Sequence, residues 1–173
     1  QGVIIHGRST KMPETRQKND MTHTTDYGNG IIAIDSGYHR PDFDAIHLVI
    51  AGNRAALIDT ATNAAAPRVM SALQHYGIPP EQVEAIILTH IHLDHAGGAG
   101  LLMSQFPNAR LYVHPLGARH IANPEKLLAG TAAVYGEEQT RTLYGTLLPV
   151  ESARIVAVEH GQTLSLGGRE LLM

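Results

Sequence analysis

The chain has no cysteine. That absence removes disulfides and any thiolate metal site at once. Aromatic residues are scarce at 5%, so packing must rest on Ala, Leu, Ile and Val. No apolar run approaches the ~18 residues needed to span a bilayer. Gly2-Val3-Ile4-Ile5 is too short for a signal-peptide core, which needs about 7–15 residues. Charge of one sign is not in excess: 13 Lys and Arg stand against 16 Asp and Glu, for a net charge of −3. The basic residues form no stripe, which excludes a nucleic-acid footprint. The cytoplasm is therefore expected ahead of the periplasm, with neither membrane nor nucleic acid as a partner.

What is present suits one domain with a real core: 173 residues, 43% of them hydrophobic. Residues 8–26 are polar and of mixed charge, with Pro13 among them. Residues 1–28 are accordingly read as a flexible N-terminal arm, and 29–173 as the domain.

Residues 30–35 read as a strand, and 45–51 with 54–59 as a hairpin around Gly52-Asn53. Asn63 is a candidate N-cap for a helix to about Tyr76, where Val69, Met70, Leu73 and Tyr76 recur at helical spacing. Gly77 closes it, and Pro79-Pro80 prevents continuation. Residues 83–88 form a nearly continuous apolar run, the pattern of a strand buried on both faces. Residues 96–106 read as one helix, 110–113 as a strand, and 116–148 as mostly helical with breaks at Pro124 and Gly136. A strand at 155–158 and a hairpin around Gly167-Gly168 follow. This alternation argues an α/β fold.

Seven residues dominate the chain, Thr89-His90-Ile91-His92-Leu93-Asp94-His95, with three imidazoles and a carboxylate among them. Imidazole and carboxylate are borderline ligands that suit Zn²⁺, and also Fe or Mn. On an extended loop His90 and His92 point to the same side, while Leu93 points away toward packing. Asp94 and His95 then open a helix and offer a second pair of ligands. One short turn can therefore serve two metal ions.

The pattern His90-x-His92-x-Asp94-His95, preceded by Leu88-Thr89 and followed by Ala96-Gly97-Gly98, resembles the signature of the metallo-β-lactamase-fold hydrolases. Ala56-Leu57-Ile58-Asp59-Thr60 is similar to that family's strand ending in a buried Asp. The stretch from Gly77 to Val83 resembles its lead-in to the metal-loop strand. The resemblance covers roughly residues 29–173 and implies a four-layer αββα sandwich, with 116–148 as a helical insertion that shapes the substrate entrance.

By the same resemblance, His90 and His92 bind one metal, Asp94 and His95 a second, and Asp94 also orients the nucleophilic water. Asp59 is the partner that fixes a ligand imidazole. The implied activity is that of a zinc-dependent hydrolase with two divalent ions per complete site. Its metal-activated hydroxide attacks an ester, thioester, lactone, lactam or phosphoester bond of a small molecule.

The family completes its site with a third His, a bridging Asp and a last His. These follow a strand like 170–173, so the sandwich is expected to stop short of its C-terminal metal-ligand motifs. A catalytic zinc site takes three protein ligands plus water, whereas only two are assured for each ion here. His114, at the end of a strand, is the candidate near-site residue; His120 and His160 rank behind it. The alternative reading is a truncated, catalytically impaired metal-binding domain acting through a homodimer or another partner. A single structural zinc ranks last.

Overall fold

A computed structural model describes residues 17–173 in full and, before them, the backbone of residues 4 and 5. Two sheets and a helical layer result. The larger sheet has eight strands in chain order: β2 (Gln17–Asn19), β3 (Thr24–Asp26), β4 (Ile31–Asp35), β5 (Ala45–Ala51), β6 (Arg54–Ile58), β7 (Val83–Ile87), β8 (Arg110–Val113) and β9 (Ile155–Ala157). Pairing is antiparallel from β2 to β6 and parallel from β6 to β9. The smaller sheet joins β1 (Ile4–Ile5), β11 (Arg169–Leu172) and β10 (Thr163–Leu166), all antiparallel.

The expected N-terminal arm lies partly outside the described residues. The part inside is corrected: 17–26 form the β2–β3 hairpin, which extends the sheet. The polar sequence hid this because its inward residues are threonines. Thr22 and Thr24 are buried, and their hydroxyls satisfy each other at 2.7 Å, as buried polar groups must.

Side-chain alternation sends each central strand into two cores. Ala55 and Leu57 of β6 join the core under the helices, together with Ile86, Leu102, Phe106 and Leu111. Ala56 and Ile58 face the smaller sheet and meet Leu166 and Leu171. A bulge shifts the β6–β7 register, so that Ala55 pairs with Val83 but Ala56 with Ala85. Val83 and Ile86 therefore share the helix-side core, while Ala85 and Ile87 face the smaller sheet.

The helices are α1 (Ala66–His75), α2 (Leu93–Ala96), α3 (Ala99–Gln105), α4 (Pro115–Ala122), α5 (Glu125–Tyr135) and α6 (Glu137–Tyr144). Two boundaries differ from the sequence expectation. Asn63 does not cap α1. Its amide donates to the carbonyls of Tyr144 (3.4 Å) and Thr146 (2.8 Å), tying the loop after β6 to the end of α6. The helix expected over 96–106 breaks into α2 and α3, because Gly98 is drawn against the loop after β6. Its N–H donates to the Ala61 carbonyl at 2.8 Å. A Cβ there would meet the carbonyls of Thr60 and Thr62 at 2.8 and 3.0 Å. No helix among the described residues is long and apolar enough to cross a membrane.

Candidate metal centre

The motif residues leave the ends of two parallel neighbours. Asp59 follows β6 and Thr89 follows β7 by two residues, the edge where ligands gather in open α/β sheets. The Asp59 N–H donates to the Ile87 carbonyl at 2.9 Å. The N–H and hydroxyl of Thr60 donate to the His95 carbonyl at 2.7 and 2.9 Å. Asp59 (φ 61°) and Ala61 (φ 51°) both lie in the left-handed region. Such strain costs about 1–3 kcal/mol per residue and persists where surrounding bonds over-determine it.

Asp59 is the hub. The residue is buried at 7% exposure. Oδ1 accepts from the Thr89 N–H at 2.8 Å, and Oδ2 from the Thr89 hydroxyl at 2.7 Å. Oδ2 also lies 3.0 Å from Nδ1 of His95. The carboxylate only accepts, so His95 donates from Nδ1–H and turns Nε2 toward Asp94. Nδ1 of His90 lies 3.0 Å from the Thr89 hydroxyl. That hydroxyl spends its one proton on Asp59, so it accepts from His90 Nδ1–H. Nε2 of His90 is left free. One carboxylate thus sets the tautomer of two imidazoles, one of them through a hydroxyl.

Burial, followed by the neighbouring His95, holds the His90 imidazole below its ordinary value, against the pull of Asp59. At neutral pH the ring is uncharged, the form that binds metal. Asp59, His90 and His95 each offer an atom within 4.8 Å of the others. The ring centroid of His90 lies 4.1 Å from that of His95 and 4.9 Å from that of His92. His92 is exposed at the start of α2, and Leu93 turns inward with 4% exposure. Asp94 Oδ2 stands 3.7 Å from His95 Nε2. Asp59, His90 and His95 thus form a donor set that fits a divalent cation, while His92 and Asp94 stand beside it, next to His90 and His95, without joining it.

His114 sits at the end of β8, where its Nδ1 accepts from the Leu116 N–H at 3.3 Å and caps α4. It lines the same cleft as His90. Sequence reading gave no role to Thr89, whose hydroxyl links Asp59 to His90. It also passed over Tyr144, which is buried with its hydroxyl 3.0 Å from that of Tyr38. Burial, then Tyr38 and Asp94, push the Tyr144 phenol far above its ordinary value, so it stays protonated. No local pattern marks either residue; Tyr38 and Tyr144 are 106 residues apart.

A family model for the metallo-beta-lactamase superfamily matches residues 40–172. The chain belongs to that superfamily. A hydroxyacylglutathione hydrolase of Aeromonas hydrophila is 50% identical over 42 residues, covering 22% of this chain and 16% of that protein. The hydroxyacylglutathione hydrolase of Xanthomonas axonopodis is 34% identical over 85 residues, covering 46% and 31%. Among solved structures, BJP-1, a subclass B3 metallo-β-lactamase of Bradyrhizobium japonicum, is 20% identical with a TM-score of 0.62. That match covers 87% of this chain and 50% of that one. The chain spans about half the length of the solved structures it matches. Its fold is the α/β metallo-β-lactamase fold.

Proposed function

We propose that the chain carries the metal-binding loop of a zinc-dependent hydrolase that adds water to an ester, thioester, lactone, lactam or phosphoester bond. A thioester is the first substrate class to try, because hydroxyacylglutathione hydrolases are among its relatives. The observation that carries this reading is the Asp59 hub, which engages Nδ1 of His95 directly and Nδ1 of His90 through the Thr89 hydroxyl, so that Nε2 of each ring is the nitrogen turned toward a cation.

His90 and His92 hold one ion, and Asp94 and His95 a second; iron or manganese suits the same donors. Ions bound there lower the pKa of water toward neutrality and stabilise the anion that develops on the substrate. The protein's own contribution is positional. Asp59 and Thr89 lock the imidazoles before any ligand arrives, so little reorganisation remains at the moment of reaction. Asp94 is half-exposed beside His95, where its second oxygen can accept a proton from an attacking water. Its carboxylate is thereby the catalytic group, while Asp59 acts through His95 as a positioning residue.

The test is a panel of thioester, lactone, lactam and phosphodiester substrates, run on the chain as isolated, after chelation, and after zinc is restored. Hydrolysis of at least one class is expected to vanish on chelation and to return with zinc. Turnover that survives complete removal of metal would contradict the proposal, as would inertness toward every class with zinc bound.

A further inference from the structure

A second chemistry-bearing cleft adjoins the motif. It encloses about 350 Å³ between the metal loop and α4, and its lining includes Thr89, His90, His114, Gly117, Arg119 and His120. None of its lining residues is acidic. Arg119 has no carboxylate partner among the described residues; its Nε donates to Nε2 of His120 at 3.3 Å. The two Nη groups of the guanidinium therefore remain as donors. The neighbouring imidazoles are sorted by their bonds. Nδ1 of His114 accepts from Leu116, so its proton sits on Nε2. Nε2 of His120 accepts from Arg119, so its proton sits on Nδ1. One permanent cation and two oriented N–H groups thus share a cavity that offers no negative charge.

The cleft is also held rigidly against the motif. A Cβ at Gly117 would meet Cγ2 of Ile91 at 2.8 Å and Cγ2 of Val113 at 2.9 Å. The absent side chain lets α4 lie directly on the residue between His90 and His92. The first turn of α4 spends its own donors locally, with the N–H groups of Leu116, Gly117 and Ala118 all bonded to His114. Side chains, not the helix end, supply the free donors.

We propose that this cleft is an oxyanion-binding subsite, in which Arg119, His114 and His120 hold a carboxylate, sulfate or phosphate group of the substrate beside His90. The proposal rests on the reading of the motif as the reacting centre. It adds that the substrate is anionic and is anchored on the α4 side of that centre. Guanidinium and imidazole donors match planar or tetrahedral oxyanions by charge and by geometry.

The experiment is calorimetric titration of inorganic phosphate at neutral pH into the zinc-supplemented chain, Arg119→Gln and His92→Ala, with zinc content measured on each. Arg119→Gln is expected to weaken phosphate binding about tenfold, the size of one charge-assisted hydrogen bond, with zinc content unchanged. His114→Ala is expected to weaken it in the same direction. Equal phosphate affinity in Arg119→Gln and the unmodified chain would overturn the proposal. So would zinc loss in Arg119→Gln, or no phosphate binding by the unmodified chain. Phosphate binding lost in His92→Ala but untouched by Arg119→Gln would place the anion on the metal alone and also overturn it. If the chain holds no zinc, the hydrolase reading fails separately; phosphate binding that still depends on Arg119 sustains the subsite.

Discussion

His90→Ala is expected to lower the affinity of the chain for zinc by more than the roughly 10- to 100-fold that loss of a supporting partner costs. His90 stands at the centre of the cluster: its ring lies closest to both His92 and His95, and its Nε2 is kept unprotonated by the Thr89 hydroxyl. Removing it takes away a ligand atom and leaves that hydroxyl without its second partner. Thr89→Val removes only the hydroxyl and keeps the imidazole, so its loss should fall inside the 10- to 100-fold range. Competition with a chromophoric chelator reads both. Equal affinity in His90→Ala and the unmodified chain would remove His90 from the ligand set. A larger loss in Thr89→Val than in His90→Ala would reverse the assigned order of ligand and support.

Arg154→Ala is expected to destabilise the fold by on the order of 4 kcal/mol, a large share of the about 5–15 kcal/mol that holds a domain folded. Arg154 precedes β9, and its guanidinium closes the end of α3. Nη1 donates to the Met103 carbonyl at 2.9 Å, Nε and Nη2 to that of Ala109 at 3.1 and 2.8 Å, and Nη2 also to that of Phe106. Three carbonyls around the fully buried Phe106 would lose a charged donor together; that of Phe106 keeps the Ala109 N–H at 3.2 Å, while those of Met103 and Ala109 lose their side-chain donor, and acceptors left unpaired are costly. Arg154→Lys keeps the charge but lacks the planar fork, so it should recover only part of the loss. Urea denaturation of the three chains measures this. A cost below about 1 kcal/mol for Arg154→Ala would show the fork to be a surface ornament of the kind that contributes little.

The central strands were legible because each carries its own local signal. The apolar run over 83–88 has no polar alternation, and β7 proves buried on both sides. Gly52-Asn53 sits between β5 and β6 as a turn pair should. The breaks at Pro124 and Gly136 fall between α4 and α5 and between α5 and α6.

What stayed hidden depends on residues far apart in the chain. Thr89 reads as an ordinary strand-end residue until Asp59, thirty positions earlier, is folded against it. Arg154 is one arginine in a loop, and nothing near it in sequence foretells that three carbonyls from 103–109 converge on it. The break between α2 and α3 arises because Gly98 is pulled onto Ala61, a contact that helical periodicity cannot register. The β2–β3 hairpin was missed because threonines bonded to each other can be buried without looking apolar. The resemblance supplied the layered sandwich; the packing of two sheets on one another is not written in the period of any single strand.

The most direct measurement is elemental analysis of the zinc-saturated, desalted chain beside His92→Ala. Cations held between residues 90 and 95 require bound zinc in the unmodified chain and a lower ratio in the variant. A chain that emerges empty, or a variant with undiminished zinc, would contradict the account.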